Sequence, residues 1–159
     1  MSEQRMNNGE KPQTDHQTPE NDLKRQWLGR YLDSRRKQER LAEQLKEVRS
    51  RATSVSQSWN PTKSSPTNAH SDRVADSVQQ IEELERQLRE EQERGQAVGS
   101  EIIHALYVLP LESFTALLCQ YIDGMNKAEI AREMGKRPNT VSGYIRKGLN
   151  LLVLPENTY

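Results

Sequence analysis

The strongest constraint on this chain is the spacing of its few apolar residues, which recur every three or four positions along two long, highly charged segments. Only 33% of the 159 residues are hydrophobic and 5% are aromatic, whereas 29% are charged. This composition offers too little apolar mass for the core of a compact enzyme of this length. It therefore predicts an all-α protein whose helices keep a solvated face and are joined by disordered segments.

Composition and motif content exclude several classes of protein. A single cysteine, Cys119, excludes a secreted disulfide scaffold. There is no run of about 18 apolar residues, so we expect no membrane span. The first 20 residues lack the apolar region of a secretory signal, so we expect a cytoplasmic protein. No residues have metal-ligand spacing or form a phosphate-binding loop, so we expect no metal, no cofactor and no enzymatic activity.

Residues 21–52 predict a first helix. Its apolar stripe is interrupted by two polar residues and runs through Trp27, Tyr31, Ser34, Gln38, Leu41, Leu45, Val48 and Ala52. Leu23, Leu28 and Leu32 widen the stripe at its start.

Residues 73–107 predict a second, longer helix that Ser71 or Asp72 can cap. Its stripe runs through Val74, Val78, Ile81, Leu84, Leu88, Glu91, Gly95, Val98, Ile102 and Leu106. Gly95 and Gly99 each weaken a helix by about 1 kcal/mol relative to alanine. We therefore expect a kink or a break near the middle of this helix.

The two helical segments carry opposite charge. Residues 21–52 contain ten basic and five acidic residues, whereas residues 73–110 contain four basic and eight acidic residues. This segregation predicts a long antiparallel, coiled-coil-like hairpin over residues 21–107, stabilised further by homodimerisation. The polar residues 1–20 and 53–71 are expected to be a disordered tail and a disordered loop.

Residues 108–155 are richer in apolar residues and predict a separate domain of three short helices, at 111–122, 127–134 and 138–152. Asn126 and Glu129 have the spacing of a capping box at the start of the second helix. Gly135 is expected to end that helix in a tight turn. Pro138 fits the first position of the third helix, where its missing N–H is not needed.

The third helix has two distinct faces. Its inner face is predicted to be Val141, Ile145, Gly148, Leu149 and Leu152. Its outer face is predicted to be Asn139, Ser142, Gly143, Arg146, Lys147 and Asn150. Four basic residues and no acidic residue lie between Lys136 and Lys147. This combination is typical of a helix-turn-helix that places a helix in the DNA major groove, although a three-helix bundle with a solvated basic face fits the same pattern.

Residues 109–152 resemble region four of bacterial sigma factors. The matching positions are Leu109-Pro110, Tyr121, Glu129-Ile130-Ala131, Met134-Gly135, Thr140-Val141, Gly148-Leu149 and Leu152. With the segment Ser71 to Val78 before them, residues 21–152 are similar to small prophage-encoded regulators of Gram-positive bacteria, the late-transcription and autolysin-regulatory activators. The chain departs from sigma factors at Arg137, where they usually have Ser or Thr, and at Gly148, where they usually have Ala. Asn139 and Gly143 stand where sigma factors often have Arg or Glu.

The resemblance implies a transcriptional regulator that binds promoter DNA and contacts RNA polymerase. It places Pro138, Asn139, Ser142 and Gly143 at base edges, and Arg146 and Lys147 at phosphates. Asn139 could bind adenine, an interaction worth about 1–3 kcal/mol of discrimination, or it could cap the helix instead. The candidate DNA-binding residues are Lys136, Arg137, Pro138, Asn139, Thr140, Ser142, Gly143, Arg146 and Lys147.

Two other functions fit the same sequence. A phage DNA-packaging subunit, similar to a small terminase, also joins a helix-turn-helix to helical oligomerisation segments. A coiled-coil adaptor of RNA polymerase would use the same helices without binding DNA. A closed ring of subunits would favour the first of these alternatives, and polymerase binding without DNA affinity would favour the second.

Overall fold

The computed structural model describes residues 18–57 and 68–156, and this part of the chain is all-helical, as predicted. Five α-helices follow one another: α1 (Pro19–Gln57), α2 (Asn68–Leu106), α3 (Leu111–Tyr121), α4 (Lys127–Met134) and α5 (Pro138–Leu151). The last three agree with their predicted bounds to within one residue at each end. Within the described ranges, no helix is both long and apolar enough to cross a bilayer.

The two long helices extend further than predicted. α1 begins inside the predicted tail and continues through residues 53–57 of the predicted loop, and α2 begins at Asn68. Thr53 and Ser54 do not break α1, because each hydroxyl donates to a backbone carbonyl at 2.9 Å one turn earlier in the helix. The rest of the predicted tail and loop, 1–17 and 58–67, lies outside the described residues.

Two predictions about α2 are wrong. Ser71 and Asp72 lie inside the helix and cannot be its N-cap. The helix also runs without interruption through Gly95 and Gly99, where a kink or break was expected. Both glycines are buried where α1 comes close. A Cβ added at Gly99 would lie 3.0 Å from the Tyr31 ring, and one at Gly95 would lie 2.8 Å from the Ser34 Oγ.

α1 and α2 lie against each other in opposite directions. Arg30 of α1 pairs with Glu101 at 2.9 Å, and Arg49 pairs with Glu85, so rising numbers on α1 meet falling numbers on α2. Each of these pairs has its cation on α1 and its carboxylate on α2, which is the sense that the charge segregation predicts. Both pairs are well exposed, so each contributes little to stability.

A buried polar layer occupies the middle of this contact. Ser34 Oγ donates to Glu91 Oε1 at 2.8 Å, and Lys37 Nζ lies 2.7 Å from Glu91 Oε2. Gln38 Nε2 donates to the Glu91 backbone carbonyl at 3.3 Å. Glu91 is 5% exposed, so its charge depends on these partners. Since a shift of α1 along α2 would leave this carboxylate buried and unpaired, the layer fixes the register of the two helices.

One core joins the long helices to the short ones. Trp27 and Leu28 of α1 and Ile102 and Leu106 of α2 are buried in the same cluster as the inner residues of α3, α4 and α5. The predicted boundary between residues 21–107 and 108–155 therefore runs through a shared core.

Some apolar residues of the predicted inner faces are exposed. Leu23 is 47% exposed, and Val74 and Val78 are 46% and 49% exposed. The helical spacing of apolar residues in α4 also predicts that Ala128 faces inward with Ile130, Ala131 and Met134, but Ala128 is exposed. Helical spacing identifies a stripe, but only the partner helix determines which edge of that stripe is covered.

The Lys37 ammonium, which donates to the carboxylate, lowers the pKa of Glu91, with a smaller contribution from Ser34. A carboxyl group whose pKa is lowered by folding stabilises the protein at pH values above its pKa in the unfolded chain, about 4.3. That stabilisation is lost as the pH falls through the pKa in the folded protein. Glu91→Gln should therefore cost about 1–3 kcal/mol at pH 7, and this cost should shrink progressively as the pH falls below about 4. Urea unfolding at several pH values measures the difference, with the exposed Glu93→Gln as control. An equal cost at pH 7 and pH 3 would contradict the assignment.

Candidate nucleic-acid interface

The site is built on α4, the turn after it and the first turns of α5. Asn126 caps α4 as predicted, since its Oδ1 accepts from the backbone N–H groups of Ala128 and Glu129, both at 3.0 Å. Glu129 Oε2 accepts in return from the Asn126 backbone N–H at 2.7 Å, which completes the capping box. This reciprocal pair fixes where α4 begins.

A glycine turn links α4 to α5. Gly135 has φ +62°, in the left-handed region where a Cβ is unfavourable, and it ends α4 as predicted. The next backbone N–H, that of Lys136, bonds back to the carbonyl of Ala131 at 2.9 Å. Only Gly135, Lys136 and Arg137 separate the two helices, so the direction of α5 is fixed by α4.

The start of α5 bears on one of the two roles considered for Asn139, that of helix cap. Arg137 is the N-cap residue, without a side-chain hydrogen bond to the helix, and Pro138 is the first helical residue, as predicted. Asn139 is the second residue of the helix, so the capping role is wrong for it. Its side chain is exposed.

The inner face of α5 is buried as predicted. Its apolar side chains are at most 6% exposed, namely those of Val141, Ile145, Leu149 and Leu152, and Gly148 is buried with them. Gly148 lies where α5 approaches α3 most closely. A Cβ there would lie 2.6 Å from Leu117 Cδ1 and 3.2 Å from Ser113 Cβ. A methyl group at position 148 would therefore crowd Leu117 and Ser113 of α3, and the glycine, which departs from the sigma-factor pattern, avoids that contact.

The structure brings the candidate DNA-binding residues together on one open surface. Eight of the nine are exposed and Ser142 is partly buried; the eight are Lys136, Arg137, Pro138, Asn139, Thr140, Gly143, Arg146 and Lys147. A Cβ added at Gly143 would meet no atom within 4 Å, so the centre of this surface is flat and open. We call this set of nine residues the α5 surface.

The α5 surface is positively charged. Its charged groups are four cations, and small polar residues lie among them, which suits contacts to phosphates and base edges. The described residues contain no group of three or more carboxylate, histidine or cysteine side chains that could hold a metal ion.

Burial raises the pKa of the Cys119 thiol of α3, and Asp123 and Glu133 raise it further. That thiol is buried and stays protonated at neutral pH.

One residue near this surface was missed by the sequence analysis. Asn21, at the start of α1, is buried and its Nδ2 donates to Asn150 Oδ1 of α5 at 3.0 Å. The contact spans 129 positions of sequence, and neither residue has a local motif. No signal in the sequence could have paired them.

Comparison of the chain with protein families, curated proteins and solved structures finds no match.

The two glycines of α5 allow a matched test of the close contact with α3. Gly148→Ala should be less stable than Gly143→Ala by about 1–3 kcal/mol, because the added methyl overpacks the core at position 148 and meets open space at position 143. Both changes remove the same helix penalty of about 1 kcal/mol, so the comparison isolates packing. Thermal unfolding of the two variants measures this difference. Equal stability would show that α3 and α5 can separate without cost.

Two asparagines allow a similar test of capping. Asn126→Ala should cost about 1 kcal/mol of stability because it removes the acceptor of the capping box. Asn139→Ala should change stability by less than about 0.5 kcal/mol, since it is an exposed surface substitution. Chemical denaturation of both variants measures these values. A larger loss at Asn139 than at Asn126 would contradict the assigned cap.

Proposed function

We propose that this protein is a sequence-specific DNA-binding transcriptional regulator, in which α4 and α5 form a helix-turn-helix of the type found in sigma-factor region four. The observation that carries the proposal is the α5 surface: four exposed basic residues and no acidic residue over 136–147, on a helix whose opposite face is buried. A helix of this kind fits the major groove, where its first turns reach the bases.

The candidate residues divide into two groups by position. Five of them lie in the first two turns of α5, where side chains face base edges and a glycine lets the DNA come close: Pro138, Asn139, Thr140, Ser142 and Gly143. Lys136 and Arg137 precede the helix, and Arg146 and Lys147 lie in its third turn. Residues at these flanking positions neutralise phosphates, which gives affinity and register but little sequence preference.

The long helices supply a second function in this proposal. α1 and α2 would act as a hairpin for dimerisation or for contact with RNA polymerase. An exposed apolar corner at the junction of α2 and α3 supports contact with a protein: Tyr107, Val108 and Leu111 are 71%, 77% and 74% exposed. The same observation favours the second candidate, an adaptor that binds a protein without DNA.

The test is DNA binding by the double variant Arg146→Ala/Lys147→Ala. The double variant should bind every duplex more weakly than the unmodified protein does. The slope of log affinity against log salt should also fall in magnitude by about 2, since each phosphate contact contributes about 0.9. Fluorescence anisotropy over a salt series measures both, with DNA from the protein's own gene neighbourhood and a random duplex as ligands. The matched control is Lys46→Ala/Arg89→Ala, which removes the same charge from exposed positions on α1 and α2.

The possible results separate the candidate functions. A preferred fragment with a steep salt slope that the double variant lowers establishes a specific DNA-binding protein. An unchanged slope in the double variant contradicts the α5 surface as the DNA site. No binding by the unmodified protein at low salt would leave the adaptor function, and a closed ring of subunits in solution would favour DNA packaging.

A further inference from the structure

The side chain of Asn150 is held in one orientation by α1. Asn150 is exposed on α5, and its Oδ1 accepts the 3.0 Å hydrogen bond from Asn21 Nδ2. Asn21 is only 8% exposed, so the donor is fixed within the packed protein. The Asn150 oxygen is therefore turned toward α1, and its Nδ2 group, with two N–H donors, is turned away from it.

Asn150 also continues the outer face of α5. Asn139, Gly143, Arg146 and Asn150 are separated by four, three and four residues, so they lie on one stripe of the helix. Asn150 is one turn beyond Arg146, about 6 Å along the axis at 1.5 Å per residue. When the first turns of a recognition helix lie in the major groove, its far end lies near the phosphate backbone.

We propose that Asn150 donates a hydrogen bond from Nδ2 to a DNA phosphate, and that Asn21 is the positioning residue that aims this donor. The inference rests on the proposed function, because it needs α5 to lie on DNA. It adds a contact outside the nine residues of the α5 surface and gives α1 a role in binding. The contact carries no charge, so it adds affinity without releasing a counterion.

The first experiment measures DNA affinity for Asn150→Ala, Asn21→Ala and the double variant, on the duplex that the unmodified protein prefers. Each single change should weaken binding about three- to tenfold, the range of one hydrogen bond. The double variant should be no weaker than Asn150→Ala alone, because both changes remove the same contact. The salt slope should stay unchanged in all three. Gln26→Ala, at an exposed position on α1, is the control.

A second variant separates aiming from simple attachment of α1 to α5. In Asn21→Asp the carboxylate can only accept, so the Asn150 amide must turn its N–H donors toward α1 and its oxygen outward. The contact between the helices is kept, and the added carboxylate lies in the first turn of α1, where the helix dipole favours negative charge. The melting temperature should therefore fall no further than in Asn21→Ala. DNA affinity should nevertheless fall at least as far as in Asn21→Ala. Gln26→Asp adds the same charge at an exposed site and controls for repulsion.

Three results would overturn the inference and leave the proposed function standing. If the unmodified protein binds DNA and Asn150→Ala binds equally well, Asn150 makes no contact, and the proposed function stands. If the losses from Asn21→Ala and Asn150→Ala add in the double variant, Asn21 does not act through Asn150. If Asn21→Asp retains both stability and full affinity, the orientation of the amide has no effect. Absence of any DNA binding by the unmodified protein would instead overturn the proposed function together with this inference.

Discussion

The exposed face of α5 depends on the burial of its opposite face. Val141, Ile145 and Leu149 are buried among residues of α3 and α4 and of the two long helices, and Gly148 lets α5 approach α3 closely. Because this face is anchored, the polar residues on the other side are held in a fixed array and not left to vary with a mobile helix. In the proposed function, such an array lowers the cost of ordering side chains when DNA binds. The stability of the core and the geometry of the α5 surface are therefore linked.

The long helices pack into the same core as α5. The layer in which Ser34 and Lys37 bond to the buried Glu91 fixes the register of α1 against α2. That register places the start of α1 beside the end of α5, where Asn21 meets Asn150. A polar layer costs stability compared with an apolar one, but it allows only one alignment of the helices.

Sequence patterns predicted the local features of this fold well. Asn126 with Glu129, Gly135 and Pro138 placed the ends of α4 and the start of α5, because capping and turn chemistry act over a few residues. The same rules failed at the loop between α1 and α2, where Thr53 and Ser54 satisfy their own helix. They also failed at Gly95 and Gly99. Glycine weakens an isolated helix, but here each glycine makes room for a side chain of α1.

The sequence by itself determined the all-helical class, the bounds of the three short helices and the basic character of residues 136–147. These follow from periodicity, caps and charge, which are local properties of the chain. Only the tertiary structure decided that one core joins the short helices to the long ones, that Val74 and Val78 stay exposed, and that Asn21 meets Asn150. Each of these depends on contacts between residues far apart in sequence. Helical spacing gives the direction of a side chain around its own axis, whereas the packing of the other helices decides what that side chain meets.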